Sequence, residues 1–240
     1  MEIIKLNDFS CFYKNKKEYV TALDKVSLSI ECGEFFVIIG ESGCGKTTLL
    51  RSCLGLSPYY DGEILVDGVS VDEIDLKRGR YAYVSQEIGL YPSLTVYKNI
   101  AFPLSVTHTL PQEIDKRVKK IAAELGIDFL LSRKPSQLSI GQQQRVAIAR
   151  SLIKDPTIMY FDEPFSNLDP ALRLELRSVV KKLHDTYGTT VVFVTHDISE
   201  ALAIADRIAV LEKGKLVEIG TAEYLVQNGK SELIKGFLNK

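Results

Sequence analysis

Residues 40–48 read GESGCGKTT, set between the apolar run FFVII (35–39) and the continuation LLRSCLGL (49–56). The spacing of Gly40, Gly45, Lys46 and Thr47 is that of a phosphate-binding loop. Glycine at Gly40, Gly43 and Gly45 lets successive backbone N–H groups turn toward an anion with no side chain in the way. Lys46 is long enough to reach terminal phosphate oxygens. The hydroxyl of Thr47 suits Mg²⁺, a hard cation that takes oxygen ligands and shares them with substrate phosphates. The run TTLLRSCLGL reads as a helix, whose N-terminus adds partial positive charge at the same place. The expected ligand is a nucleoside triphosphate. Unrelated proteins share that ligand, so the remaining motifs must specify the chemistry.

Composition narrows the classes. A chain of 240 residues, 45% hydrophobic and 25% charged, is long enough for one good core with a smaller lobe. A net charge of -1 and a pI near 6.3 give no overall basic field, and no nucleic-acid partner is expected. The longest apolar runs are roughly five residues, such as Phe35 to Ile39, against the ~18 needed to span a bilayer. Glu2, Lys5 and Asp8 interrupt the start where a signal peptide would be apolar, so a cytosolic compartment is expected. Cys11, Cys32, Cys44 and Cys53 form no CxxC pair and no cluster with histidine, which favours thiols over disulfides or zinc. Cys44 lies near a helix start and Lys46, a setting that predicts a lowered thiol pKa and raised reactivity.

Strands and helices interleave. Short β-like runs, VSLSI, FFVIIG, GEILVDG (62–68) and RYAYVSQ (80–86), give way to helical patterning over 95–155. In PQEIDKRVKKIAAELGI, Ile114, Val118, Ile121, Ala122 and Leu125 form one apolar stripe behind Pro111. Then come a strand TIMYFDE, a helix with Leu172, Leu176, Val179, Val180 and Leu183 on one face, a strand TTVVFVTHD, another helix and a hairpin RIAVLEKGKLVEIG. The expected fold class is α/β: a phosphate-loop core with a mostly parallel sheet, an N-terminal antiparallel β portion and an inserted helical subdomain. The expected organisation is a single domain, with residues 1–86 and 156–240 as core and 87–155 as the helical part.

Three further stretches carry chemistry. Asp162 and Glu163 end the apolar strand IMYF, where ligands of such sheets bind; Asp162 suits Mg²⁺ and Glu163 suits polarising an attacking water. His196 ends the apolar strand TVVFVT, either as a structural histidine or as a group that reaches the terminal phosphate. In LSIGQQQRVAIARSL, Ser139 and Gly141 open a helix and create a second anion-facing terminus, unless the serine is a simple N-cap.

Taken in order, these motifs resemble those of the ATP-binding subunit of an ABC transporter, over nearly the whole chain. GESGCGKTT resembles the Walker A loop, Gln86 the Q-loop, LSIGQ the signature motif, IMYFDEP Walker B, SNLD (166–169) the D-loop and His196 the switch histidine. The resemblance implies ATP and Mg²⁺ as cofactors. It places Gly40, Ser42, Gly43, Cys44, Gly45, Lys46, Thr47 and Thr48 around the phosphates, and Thr47, Gln86 and Asp162 on the metal. It gives catalytic roles to Glu163, His196, Gln86 and Lys46, and nucleotide contacts to Ser139, Gly141, Gln142 and Asp169. Tyr13 is implied to stack on adenine, with Phe9, Phe12 and Tyr19 as neighbouring aromatics. One position departs from the family pattern: Ile140 stands where the signature usually has glycine, which implies altered dimer packing with the serine and glycine phosphate contacts kept.

The same resemblance implies a head-to-tail dimer, with itself or a closely related ATPase subunit, that sandwiches ATP between Walker A of one chain and the signature of the other. It also implies membrane permease subunits, an extracytoplasmic solute-binding protein and a place on the cytoplasmic face of the cell membrane. LYPSLTVYKNIAFPL and EPFSNLDP are similar to bacterial importer subunits. An export or lipoprotein-release ATPase is the alternative within the family, and a soluble ABC ATPase of DNA repair or translation the alternative outside transport. Leu90, Tyr91, Leu94, Tyr97 and Phe102 are expected either to form a groove for a short helix of a membrane partner or to be core.

Overall fold

The computed structural model describes residues 1–15, 18–74 and 81–238. Along the chain come β1 (Glu2–Asn15), β2 (Glu18–Glu31), β3 (Phe35–Ile39), α1 (Lys46–Ser52), β4 (Tyr59–Val66), β5 (Val69–Ser70) and β6 (Tyr81–Val84). Helices α2 (Val96–Ser105), α3 (Pro111–Glu124) and α4 (Ile140–Leu152) come next, then β7 (Ile158–Asp162) and α5 (Pro170–Tyr187). The last elements are β8 (Thr190–Thr195), α6 (Ile198–Ile204), β9 (Arg207–Glu212), β10 (Lys215–Gly220), α7 (Ala222–Asn228) and α8 (Glu232–Leu238). Arg80, the first residue of the expected strand at 80–86, lies outside the described residues.

These residues form two compact units: those before position 75 together with those from Gly188 onward, and those from Tyr81 to Tyr187. The expected helical part, 87–155, falls within the second.

The first unit holds two sheets. One is antiparallel, in the order β2-β1-β4-β5. In β2, Val26, Leu28 and Ile30 are buried at alternate positions, the period of a strand with one face on a core. The other sheet runs β10-β9-β3-β8, with β3 parallel to both β8 and β9 and the β9–β10 hairpin antiparallel. Strands β3 and β8 are buried at every residue, which is why their sequences are unbroken apolar runs rather than alternations. The β9–β10 turn has Lys213 at φ 47° and Gly214 at φ 81°, two successive left-handed residues, as a two-residue hairpin of this twist requires. That hairpin supports the phosphate loop: the Gly214 N–H donates to the Cys44 carbonyl at 2.9 Å, and the Gly214 carbonyl accepts from Asp24 N–H at 2.9 Å.

The second unit packs α2, α3, α4 and α5 with the parallel pair β6–β7. The stripe read for α3 is buried at Ile114, Val118, Ile121 and Ala122, and α5 buries Leu176, Val180 and Leu183. The helical stretch is less continuous than its pattern suggests. Between α3 and α4 the chain makes only short 3-10 turns, at Asp128–Leu130 and Pro135–Gln137. Gly126 at φ 64° ends the first helix, and Pro135 has no N–H for an α-helical interior.

Candidate nucleotide-binding site

In the first unit the phosphate loop leaves β3 at Gly40. A Cβ there would sit 2.3 Å from the Leu211 carbonyl oxygen and 2.5 Å from Cys44 Sγ, so only glycine fits. Gly45 is the N-cap residue of α1 at φ 107°, and no side chain closes the start of that helix. Lys46 is buried; its Nζ donates to the carbonyls of Gly40 at 2.8 Å and Glu41 at 3.0 Å, which holds the ammonium inside the curve of the loop. Ser42 and Gly43 are exposed, Thr47 and Thr48 half-buried. A cavity of about 470 Å³ opens beside this exposed arc, walled by the β9–β10 turn and α8.

Two other sequence-selected residues join the loop. The hydroxyls of Tyr13 and Thr48 lie 3.4 Å apart, which brings an exposed ring of β1 to the first turn of α1. The neighbouring aromatics are placed differently: Phe9 is fully buried against Tyr60, Phe12 is half-buried, and Tyr19 meets Tyr59 edge-on. The parallel register pairs Ile39 with Thr195, so Gly40 and His196, the next residues, leave the same end of adjacent strands. His196 is exposed there.

In the second unit Asp162 ends β7. It is buried, and its Oδ2 accepts from the Tyr83 hydroxyl of β6 at 2.8 Å. Glu163 has φ 45°, a left-handed conformation uncommon outside glycine and of a kind found at functional sites. Its carbonyl accepts from Ser166 Oγ at 3.1 Å, and Ser166 Oγ in turn lies 3.4 Å from Gln86 Nε2 as acceptor. Gln86 is thus tied through Ser166 to the Glu163 backbone, while the Asp162 carboxylate is held by Tyr83.

The signature start is built separately. Ser139 N-caps α4 in a reciprocal box: its Oγ accepts from Gln142 N–H at 3.3 Å, while Gln142 Oε1 accepts from Ser139 N–H at 3.1 Å. Gly141 is buried, and a Cβ there would meet the Leu172 Cδ atoms at 2.6 Å, so the glycine lets α4 close onto α5. Asp169 caps that partner helix by accepting from Ala171 and Leu172 N–H at 3.1 and 3.0 Å. Ile140 is 53% exposed, which turns its side chain away from this packing. At the other end of α4, Arg150 donates to the Gly89 carbonyl at 2.9 Å and stacks its guanidinium 5.5 Å from the centre of the Tyr91 ring. One helix therefore grips both the segment after Gln86 and the helix after Asp169.

The expected groove residues divide by exposure. Tyr91 and Phe102 are exposed with ring centres 4.6 Å apart, while Leu90, Leu94 and Tyr97 are half-buried. Buried Asn99 fixes the loop beneath them: its Oδ1 accepts from Tyr91 N–H, and its Nδ2 donates to the Tyr91, Leu94 and Thr95 carbonyls.

Cys44 corrects the sequence reading. Burial pushes its thiol above the ordinary value and outweighs the opposing pull of the Lys46 charge. Proximity in sequence predicted the sign of the Lys46 effect; the larger desolvation cost arises because Sγ packs against Gly40 under the loop. All four cysteines are free thiols. Sequence reasoning placed Ser166 in SNLD and Leu172 on an apolar helix face but gave neither a site role, and it gave none to Tyr83. Tyr83 carries a signal in hindsight, a polar-tipped ring on a strand that feeds Gln86; the sequence marks the apolar face of Leu172 but not its closeness to Gly141, which belongs to another helix.

ATP fits the first unit on its own terms: a helix start with no capping side chain, a buried lysine and an exposed aromatic beside it. Among the described residues no three His, Cys, Asp or Glu side chains converge as a metal cage. Mg²⁺ needs no such cage, since it is held by one or two protein oxygens together with phosphates and water. No helix among the described residues is long and apolar enough to cross a membrane.

A parallel-rich α/β architecture with a phosphate loop at a strand-to-helix turn and a carboxylate pair at the end of a buried strand defines a phosphate-loop nucleotide-binding protein. More narrowly, the chain belongs to the ABC transporter family, which matches residues 23–166. It is 40% identical over 225 residues to the sn-glycerol-3-phosphate import ATP-binding protein UgpC 1 of Rhizobium johnstonii, covering 93% of this chain and 61% of that one. It is 42% identical over 225 residues to the trehalose/maltose import ATP-binding protein MalK of Thermococcus litoralis, covering 91% and 60%. The chain spans about three fifths of the length of these curated relatives. Its fold is similar to that of the ATP-binding cassette MJ0796 in a dimeric post-hydrolysis state bound to ADP and Pi, with a TM-score of 0.80, 35% identity and coverage of 91% and 98%.

Proposed function

We propose that this chain is the ATP-binding and ATP-hydrolysing part of a bacterial importer, that it dimerises head to tail around ATP, and that it drives solute movement through membrane permease subunits from the cytoplasmic face. The observation that carries the reading is the signature start, Ser139 boxed with Gln142 and Gly141 packed onto α5, in a chain that already has a complete phosphate loop. A simple nucleotide kinase has no use for that second anion-facing terminus. Relatives whose names specify import of glycerol phosphate and of trehalose or maltose support the direction.

In this reading each residue has a bounded task. Tyr13 stacks on adenine, and the loop from Gly40 to Thr48 with Lys46 binds the phosphates. Thr47, Gln86 and Asp162 hold Mg²⁺, which neutralises phosphate charge when bound. Glu163 accepts the proton of the attacking water. His196 fixes the terminal phosphate and that water in line, and Ser139, Gly141, Gln142 and Asp169 meet the nucleotide carried by the other chain. Tyr91 and Phe102 present apolar surface to a permease helix, with a solute-binding protein completing the system outside the cell.

The test is Glu163→Gln. Loss of the proton acceptor should lower turnover by about 10² to 10⁴ while nucleotide binding persists. Near-normal steady-state hydrolysis by that variant would remove Glu163 from the mechanism.

A further inference from the structure

Between the buried end of β8 and the first turn of α6 lies a hydrogen-bonded bracket that encloses His196. Thr195, 4% exposed, donates its hydroxyl proton to Oε2 of Glu200, also 4% exposed, at 2.8 Å. The same hydroxyl oxygen accepts from the Asp197 N–H at 3.0 Å. Asp197 then caps α6, its Oδ1 accepting from Ser199 N–H at 2.8 Å, from Glu200 N–H at 3.3 Å and from the Ser199 hydroxyl. The backbone on both sides of His196 is therefore tied down: before it by the parallel ladder with β3, after it by the Thr195 hydroxyl and the helix cap.

Glu200 is the unusual member. A carboxyl buried in a first helical turn is costly to desolvate, and packing alone would be met by an apolar side chain at that position. What it supplies instead is direction. A threonine hydroxyl has one proton and rotates freely, so a fixed acceptor on one side commits the proton there and leaves a lone pair for the Asp197 N–H. We propose that Glu200 is a positioning residue for His196, acting through Thr195. The inference rests on the ATPase reading above. In that reading His196 must hold a phosphate oxygen and a water in line, and displacement of about 1 Å at such a group costs on the order of 10²-fold in rate.

The experiment is a set of variants of the whole chain, measured for ATP turnover and separately for nucleotide affinity. Glu200→Ala should lower kcat by about 10- to 100-fold and leave the nucleotide Kd within about twofold, because His196 acts on the reacting phosphate more than on ground-state binding. Glu200→Gln retains an acceptor oxygen and should recover most of the rate. Thr195→Val should reproduce the loss and Thr195→Ser should not. In a His196→Ala background, adding Glu200→Ala should lower kcat by less than about twofold, since the group it positions is gone. Equal losses in the two backgrounds, or a normal kcat in Glu200→Ala, would overturn the proposal. If Glu200→Ala does not fold, Glu200→Gln and the two Thr195 variants decide it alone: a rate in Thr195→Val equal to wild type contradicts the bracket. Absence of Lys46-dependent hydrolysis in the wild-type chain would instead sink the ATPase reading itself, a distinct outcome.

Discussion

The two helix starts assigned to phosphate under the proposed function are built in opposite ways. At α1 the N-cap is Gly45, which has no side chain to offer, and a buried lysine stands in the next position. At α4 the N-cap is Ser139, which together with Gln142 closes the terminus on itself. The first arrangement supplies charge and suits strong, autonomous binding of phosphate. The second already pairs the Gln142 and Ser139 N–H groups in an internal box with which a phosphate must compete, so it suits a nucleotide delivered already bound. Under the proposed function this asymmetry would set an order of events, with ATP loading on the phosphate loop before the signature start of another chain closes over it.

The largest expected effect tests the first half of that comparison. Under the proposed function Lys46→Ala would remove charge-assisted hydrogen bonds to phosphate worth roughly 1.5 to 3 kcal/mol each, so nucleotide affinity should fall by at least about tenfold in a direct binding measurement. Unchanged affinity would mean that the loop's charge is dispensable. A smaller effect tests the second half. Gly141→Ala forces the end of the Leu172 side chain to move, at a cost toward the lower end of about 1 to 3 kcal/mol for overpacking. A thermal melt should register that loss, while nucleotide affinity at the phosphate loop stays at the wild-type value and turnover drops. Weaker nucleotide binding by the isolated chain would show that the two starts are not separable. The smallest effect is at Cys44. With its thiol pushed up by burial, the thiolate fraction at neutral pH is below that of an ordinary cysteine and rises about tenfold per pH unit until the raised pKa is reached. A maleimide should therefore modify exposed Cys32 first, and Cys44 slowly, faster at higher pH, with or without ATP. Preferential modification of Cys44 at pH 7 would contradict its placement.

Much of this is legible in the sequence alone. Continuous apolar runs announce β3, β7 and β8 because strands buried on both faces have no polar side to alternate with. The stripe of α3 and the Lys213-Gly214 hairpin are local in sequence, and local patterns survive folding. The capping box at Ser139 can be read from its serine and the glutamine three residues on. What cannot be read depends on distance in sequence. The Tyr83 bond to Asp162, the closeness of Gly141 to Leu172 and the prop from Gly214 to Cys44 all join residues from separate elements. Cys44 shows the same limit in energetic terms: its charged neighbour is visible in the sequence, but the burial that outweighs it is a property of the fold.

The central claim is that ATP joins the phosphate loop of one chain to the signature start of another, and mass in solution tests it most directly. Light scattering of Glu163→Gln, which should retain unhydrolysed ATP, is predicted to give the mass of one 26.8 kDa chain without nucleotide and twice that mass with ATP and Mg²⁺. Adding Ser139→Glu, which sets a negative charge against the phosphates, should return the ATP-bound protein to the single-chain mass. A mass that ATP leaves unchanged, or a dimer that forms as readily with Ser139→Glu, would contradict the account.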